Sequence, residues 1–308
     1  MSAASAPERL VEALIPNPVV RGLLYAALAG VIFQLMNMVV RQLTLELPPL
    51  VVSWLRWTFG FMLVLPLFLP VGLAVARTRQ FPRHLLRSGF HAAAYTMWYL
   101  AIPLISLAEA AAISFSGPIF VTLGAALVLG EQVTARRWVA VLVGFLGVLV
   151  VLAPKLSLGI SASIGVLLLL ASVPLVAASN LTVKYLTRAD GTLTILFWQN
   201  VLASLLFLPM ALWFWVTPSP LQLALALLAA VFGTTAYWLI TASYRAADIS
   251  ATQSIVFLSI VWATGLDWVA FGKQPDLWTI AGAAIIVGAA AFASHREAKA
   301  TRAAAKVA

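Results

Sequence analysis

Long apolar stretches alternate with short clusters of charged residues, proline and glycine along the whole chain. Each stretch approaches the roughly 20 apolar residues that a helix needs to cross the hydrocarbon core of a bilayer. Cutting the sequence at the clusters predicts ten transmembrane helices joined by short links, so functional groups are expected inside the bundle. The predicted spans cover residues 19–40, 49–71, 85–105, 107–129, 135–153, 161–183, 192–215, 220–243, 249–270 and 277–294.

Composition excludes a soluble enzyme. Of the 308 residues, 63% are apolar and only 9% are charged, whereas soluble domains run near half apolar and a quarter charged. So few ionisable side chains cannot cover the surface of a soluble protein of this size, and the apolar excess must face lipid. The absence of cysteine excludes disulfides, thiolate metal sites and cysteine nucleophiles. The sequence therefore predicts an all-α integral membrane protein.

The distribution of basic residues predicts the orientation of the bundle. Of the 19 lysines and arginines, 15 fall on the side where the chain starts, three fall on the opposite side, and Arg56 lies inside the second span. Because basic residues concentrate in cytoplasmic loops, both termini are predicted to be cytoplasmic. These are an N-terminal segment of residues 1–18 and a basic tail of residues 295–308. The charges Glu8, Arg9 and Glu12 favour a retained first span over a signal peptide.

The two halves of the chain match each other at an offset of 142 or 143 residues. Residues 19–153 and 161–294 then form two repeats of five spans each. Because five is odd, the second copy is predicted to enter the membrane upside down, which is typical of carriers that expose a central site alternately to each side. A duplication retained for packing alone is the alternative. The matched pairs include Asn37 with Asn180, Arg41 with Lys184, Pro66 with Pro209, and Tyr95 with Tyr237.

Arg56 and Glu109 are candidate charges for binding or gating. A charged side chain is costly inside a membrane span and is therefore a functional candidate. Arg56 could attract a substrate carboxylate or pair with Glu109, which lies near the same predicted membrane face. The alternative is that Arg56 extends to the outer headgroups.

The third span carries an imidazole and aromatic face. His91, Tyr95 and Tyr99 are spaced four residues apart and share one side of a helix, with Trp98 beside them. Tyr95 falls near mid-span, where its hydroxyl needs a partner, and Tyr237 is its counterpart in the second repeat. The pattern predicts a cavity lined by these residues, and a packed core with hydrogen bonds between helices is the alternative.

Amides and prolines complete the set of candidate residues. Asn37, Asn180 and Gln253 lie inside spans, where an amide offers both a donor and an acceptor to a zwitterion without adding charge. Pro118 and Pro174 fall within the fourth and sixth spans, where proline removes backbone hydrogen bonds and bends a helix. We expect the amides to contact substrate and the prolines to act as hinges, with static kinks as the alternative for the prolines.

Three segments carry a resemblance to a known family. They are the neighbourhood of Arg56, the run from Pro118-Ile119-Phe120 to Leu129-Gly130-Glu131, and its second-half counterpart Phe271-Gly272-Lys273, which has lysine where the family pattern usually has glutamate. With them, nearly the whole chain resembles the ten-helix EamA branch of the drug/metabolite transporter superfamily, and it is similar to the YddG-type aromatic amino-acid exporters. The resemblance implies export of amino acids or related metabolites, without ATP, across the bacterial inner membrane.

The sequence thus predicts a secondary transporter rather than an enzyme. The serine-hydrolase elbow, the zinc-protease helix motif and the phosphate-binding loop are all missing, so no catalytic residue, metal or cofactor is expected. A small-molecule substrate and the lipid bilayer are the expected partners, without nucleic acid or an obligate protein partner. Neutral and aromatic amino acids are the expected substrates, and another metabolite or drug is the alternative. An intramembrane enzyme or a channel is a further alternative.

Overall fold

The computed structural model describes residues 14–68, 72, 76–101, 113–153, 164–271 and 276–304. These ranges are helical apart from their connecting turns. The helices are α1 (Pro18–Thr44), α2 (Pro49–Val64, continued by a 3-10 turn at Leu65–Phe68), α3 (Phe81–Ala101), α4 (Gly117–Val128), α5 (Ala135–Leu152), α6 (Ile164–Leu186), α7 (Thr192–Trp213), α8 (Pro220–Ala246), α9 (Ile249–Val256), α10 (Leu258–Phe271) and α11 (Leu277–Ala304).

Most of these helices match the predicted spans closely, and the chain is a multi-span membrane protein. Within the described residues, seven helical stretches are long and apolar enough to cross a bilayer: α1, α2 with its 3-10 turn, α5, α6, α7, α8, and residues 249–266 of α9 and α10. Large apolar side chains such as Leu127, Val269 and Leu221 are exposed on the outer surface. Such exposure suits contact with lipid, because lipid tails are as apolar as these side chains.

Helix starts follow local capping rules. Asn17 accepts hydrogen bonds from the backbone N–H groups of Val19 and Val20, and Pro18 occupies the first turn of α1. Ser219 and Gln222 form a reciprocal capping box around Pro220 at the start of α8. These residues satisfy N–H groups that have no partner within the helix, so α1 and α8 have defined starts.

The fourth and ninth predicted spans are discontinuous. A turn at Phe115–Ser116 precedes α4, and Phe257 separates α9 from α10. Pro118 therefore lies in the first turn of α4, where its missing N–H removes no hydrogen bond within that helix. This differs from the prediction, which placed Pro118 inside a continuous span. Pro174 does lie inside its helix, α6.

The two breaks occupy matching positions in the repeats, because Phe115 and Phe257 are 142 residues apart. Both phenylalanines also pack at one hydrophobic cluster. Phe257 is fully buried in a cluster with residues of α5 and α11, and Phe115 packs against the same cluster. Discontinuous helices at corresponding positions of two halves are typical of transporters.

Helices of the first half pack mainly against helices of the second half. The contacts come in pairs that exchange the halves. Helix α1 packs on α8, and their counterparts in the other half, α6 and α3, pack on each other. Likewise α2 packs on α8, and their counterparts α7 and α3 pack on each other. Helix α2 packs on α7, and α5 packs on α11. The interior of the bundle is therefore an interface between the halves.

Polar contacts join the two halves at the end of the bundle where α1 begins, here called the α1-start end. His84 Nε2 lies 2.8 Å from Asp190 Oδ2, and Arg137 Nη1 lies 3.1 Å from Asp248 Oδ2. Glu131 accepts hydrogen bonds from the first N–H groups of α9, at Ile249 and Ser250. An anionic carboxylate stabilises a helix N-terminus, so these contacts hold the two halves together at the α1-start end.

Candidate functional site

A cluster of rings lies between the two halves, inside the bundle. The ring of His91 lies 5.2 Å from that of Trp57, 4.3 Å from that of Tyr95 and 6.1 Å from that of Tyr237. Trp57 and Tyr237 are 5.3 Å apart, and Phe33 meets Tyr237 edge to face at 5.1 Å. These five residues, here called the ring cluster, come from α1, α2, α3 and α8. Both halves therefore contribute to it.

Helical spacing and packing explain how the ring cluster forms. His91 and Tyr95 are one turn apart on α3 and face the same way. Trp57 is only 2% exposed and packs with Leu50, Ala203 and Phe207. The hydroxyl groups of Tyr95 and Tyr237 share a hydrogen bond, so the two tyrosines that match between the repeats also meet in the structure.

Arg56 turns into the bundle and lies on the ring cluster. Its guanidinium carbon is 3.6 Å from the centre of the Trp57 ring and 5.8 Å from that of Tyr237, and the residue is 9% exposed. A guanidinium over aromatic rings gains about 0.5 to 2 kcal/mol. Within the described ranges no carboxylate pairs with it. Arg56 is therefore a buried cation that keeps its capacity to bind an anion.

Gly233 makes room for Arg56. A Cβ atom added at Gly233 would lie 2.8 Å from Arg56 Nη1 and 3.0 Å from Met36 Sδ. Real Cβ atoms do not approach neighbours so closely. The guanidinium therefore occupies the space that a side chain on α8 would fill.

A second buried arginine lies one helical turn before His91. Arg87 is 3% exposed, and its Nε and Nη1 atoms have no hydrogen-bond partner in the part of the chain that the structure describes. Tyr237 and Tyr244 lie within electrostatic reach of its charge. His91 Nε2 is likewise buried without a described partner. The face of α3 toward the ring cluster thus carries buried polar atoms without a described partner.

Gln199 of α7 adds an unpaired amide. It is 3% exposed, and neither its oxygen nor its nitrogen has a hydrogen-bond partner among the described residues. Its neighbours one turn away on the same face are Ile195, which packs in a cluster with Tyr244, and Ala203, which packs beside Trp57. The amide therefore points into the interior between Tyr244 and the ring cluster.

The structure thus brings His91, Tyr95, Tyr237 and Arg56 together. Other predicted residues lie elsewhere. Trp98 packs against the small cluster of Ala101 and Leu169. The side chain of Tyr99 and the whole of Glu109 lie outside the described residues, and their roles stay predictions.

The predicted amides have different surroundings. Gln253 is buried, donates to the Ile249 carbonyl at 2.9 Å and hydrogen-bonds Tyr244. Asn37 is exposed and donates to Gln34 one turn earlier, at 3.2 Å. Asn180 is partly buried. Of the three, Gln253 alone is fully buried, so the amides do not form one group, and contact with substrate stays a prediction for each.

Sequence reasoning missed Trp57 and Arg87 as parts of the interior. The signal for Arg87 was present, because it continues the four-residue spacing of His91 and Tyr95 by one turn toward the start of α3. It was counted among the charges that set orientation instead. The position of Gln199 follows from the repeat, since it matches Arg56 at an offset of 143. Trp57 had no signal beyond its neighbour Arg56.

The chemistry of this interior suits an organic anion. Arginine donates to a carboxylate in a planar, often bidentate geometry. The rings of Trp57, Tyr95 and Tyr237 offer apolar and stacking surface, and the hydroxyl and amide groups around them exchange hydrogen bonds with polar substituents. These groups therefore match the chemistry of a molecule that has an anionic group beside an apolar or aromatic body.

Comparison with known proteins gives one family and several named relatives. The model of the EamA-like transporter family matches residues 20–153 and again 163–294. The riboflavin transporter of Rhizobium johnstonii is 34% identical over 92% of this chain and 94% of its own length. The S-adenosylmethionine uptake transporter of Rickettsia prowazekii is 27% identical, covering 80% of this chain and 83% of its own length. The pseudopaline exporter CntI of Pseudomonas aeruginosa is 31% identical, covering 86% of this chain and 93% of its own length.

A solved structure shares the fold. One crystal structure superposes with a TM-score of 0.78, covering 88% of this chain and 96% of its own chain, at 20% sequence identity. At this identity the likeness concerns the helical bundle alone.

Proposed function

The chain belongs to the EamA-like transporter family, and from this premise we propose that it is a secondary transporter of small organic metabolites that carry a carboxylate beside an apolar or aromatic group. Its relatives are named as transporters of different small metabolites. The proposal therefore makes it a carrier and not an enzyme, and it takes its substrate class from the interior of this chain.

One observation carries the choice of substrate class. Arg56 is buried against Trp57 and Tyr237 without a described carboxylate partner. A buried charge is costly unless it is paired, and a substrate carboxylate would supply the missing partner. The adjoining rings would then hold the apolar part of the same molecule.

Amino acids are the substrates that we propose within this class, neutral and aromatic ones included, with export as the direction. An amino acid presents a carboxylate to Arg56, a side chain to the rings and an ammonium group to neutral acceptors. Riboflavin is the second candidate, because the Rhizobium johnstonii relative that transports it is 34% identical. Its flat ring system would rest on the ring cluster without using the charge of Arg56.

The proposed mechanism is alternating access between two inverted repeats in the bacterial inner membrane, with both termini in the cytoplasm. The exchanged helix contacts favour a pseudo-twofold relation between the halves. Ser243 near the end of α8 donates to the Gly22 carbonyl near the start of α1, and Glu46 after α1 accepts from Gln222 at the start of α8. Helices α1 and α8 therefore run antiparallel, as an inverted second repeat requires.

Counterflow into proteoliposomes tests this function. Proteoliposomes that contain the purified protein would be loaded with unlabelled compound, and labelled compound would be added outside without an ion gradient. The panel would run from Phe, Trp, Met and Leu to Lys and Glu, with riboflavin and S-adenosylmethionine added. We expect saturable uptake of carboxylate-bearing members. Uptake of riboflavin alone would favour the second candidate, and unsaturated ion-selective current would indicate a channel.

Two arginine variants assign the uptake to the interior. Arg56→Gln removes the cation on the rings and is expected to lower transport of carboxylate-bearing substrates strongly. Arg136→Gln changes an exposed arginine at the start of α5 and is expected to leave transport unchanged. Equal activity of both variants would refute the role given to Arg56.

A further inference from the structure

We infer that Arg87 and Gln199, together with Nε2 of His91, form a second subsite that binds a second anionic group of the same substrate. The preferred substrates are then dianions, such as dicarboxylates, rather than molecules with a single carboxylate. This inference rests on the proposed function, in which Arg56 binds the first carboxylate, and it names the substrate class more closely.

The unpaired atoms of Arg87 carry the inference. A buried arginine is normally paired or fully hydrogen-bonded, since its charge cannot be removed by deprotonation. Arg87 is 3% exposed, and two of its three guanidinium nitrogens are buried without a described partner. Its backbone carbonyl is engaged by Ser179 Oγ at 3.3 Å, so α3 is held in place while the guanidinium is left for a ligand.

The five acidic residues whose side chains the structure describes are engaged at the ends of the bundle. Asp190 pairs with His84, and Asp248 pairs with Arg137. Glu131 accepts from Ser250, Glu46 accepts from Gln222, and Asp276 accepts from the backbone N–H of Thr279. With these carboxylates engaged elsewhere, the positive charges of Arg56 and Arg87 have no described carboxylate partner, and an anionic ligand would neutralise them.

The position of Arg87 relative to Arg56 fits two groups of one molecule. Arg87 and His91 are one turn apart on α3, which is about 6 Å along the helix. The Arg56 guanidinium lies 3.6 Å from the centre of the Trp57 ring, and the Trp57 ring lies 5.2 Å from that of His91. A ligand that lies along the ring cluster can therefore reach both.

Neither interior arginine has a basic counterpart in the second repeat. The position on α7 that matches Arg56 is Gln199, a neutral amide, at an offset of 143. The positions on α8 that match Arg87 at offsets of 142 and 143 are Ala229 and Ala230, both fully buried. Both interior arginines therefore come from the first repeat, and the second repeat contributes Gln199, whose amide is neutral.

Competition by matched pairs of compounds tests the inference in the wild-type protein. Glutamate with glutamine, and succinate with succinamate, differ by one negative charge at nearly constant shape. Each compound would be titrated against uptake of labelled substrate into proteoliposomes. We expect each dicarboxylate to compete about tenfold more strongly than its amide, as loss of a hydrogen bond to a charged group implies. Equal competition within a pair would overturn the inference.

Variants assign the preference to Arg87. We expect Arg87→Gln to abolish the preference for the dicarboxylate over its amide, while the affinity of this variant for glutamine changes by no more than about twofold. Arg87→Lys should restore part of the preference. Arg136→Gln is the exposed control and should keep the full preference. A preference that survives Arg87→Gln would overturn the assignment. Should Arg87→Gln fail to fold, Gln199→Leu and the wild-type pairs still decide.

The outcomes separate this inference from the proposed function. If glutamine and other single carboxylates are transported but dianions gain nothing, the second subsite is wrong and the proposed function stands. If no carboxylate-bearing compound competes, the proposed function fails and the inference fails with it.

Discussion

Replacing Gly233 by alanine should displace Arg56 without unfolding the protein. The added Cβ would lie 2.8 Å from Arg56 Nη1 and 3.0 Å from Met36 Sδ. Nonbonded heavy atoms rest about 3.5 to 4.0 Å apart, so the guanidinium must withdraw by roughly 1 Å. Both contacts involve the ends of flexible side chains, so the bundle can absorb the methyl group.

The cost should appear in substrate affinity. A hydrogen bond to a charged group contributes about 1.5 to 3 kcal/mol, and about 1.4 kcal/mol is a tenfold change in affinity. If the shift breaks the contact between Arg56 and the substrate carboxylate, Gly233→Ala should weaken binding by about 10- to 100-fold. Loss of the contact with Trp57, at 3.6 Å, would add to this effect.

Saturation kinetics in proteoliposomes measure this prediction. Gly233→Ala should raise the half-saturation concentration for substrate while the melting temperature in detergent stays close to that of the wild type. Gly288→Ala is the control, because no atom lies within 4 Å of a Cβ added there, and it should leave both values unchanged. A folded Gly233→Ala protein with wild-type affinity would refute the placement of Arg56 at the substrate.

Three further predictions concern helix packing, the α1-start end and the ring cluster. Gly282→Ala should lower the melting temperature in detergent by several degrees, because its Cβ would lie 2.5 Å from the Gly147 carbonyl oxygen on α5, and unchanged melting would contradict that close contact. Glu131→Gln removes the carboxylate at the start of α9, so a cysteine introduced at the α1-start end should be labelled faster. An unchanged labelling rate would contradict the role of Glu131 in holding the two halves together there. Tyr237→Ala should raise the half-saturation concentration at least fivefold in correctly inserted protein, and an unchanged value would refute the ring cluster as a binding surface.

Helix positions could be predicted from the sequence because each depends on local features. Apolar length, terminal charges and caps such as Asn17 and Ser219 act over a few residues, and most helices accordingly begin and end near the predicted bounds. The breaks at Phe115 and Phe257 could not be found in this way. No proline or glycine interrupts the sequence at Phe257, and the break is stabilised by packing against α5 and α11.

The candidate site could be predicted only where periodicity gave a signal. His91 and Tyr95 share a helix face, and the repeat linked Tyr95 to Tyr237. Trp57 was missed because its place depends on how α2 packs between α3 and α8, which is a tertiary property. Arg87 was misread because a basic residue near a helix start is usually a surface charge, whereas packing buries this one.

Comparing an amino acid with the compound in which a carboxamide replaces the carboxylate most directly tests whether the interior binds a carboxylate. Binding of phenylalanine and of phenylalaninamide would be measured by calorimetry on purified wild-type and Arg56→Gln protein at constant salt. We expect the wild type to bind the carboxylate at least tenfold more tightly and Arg56→Gln to bind both compounds weakly and alike. Equal binding of the two compounds by the wild type, or a preference that survives Arg56→Gln, would contradict the central role of Arg56.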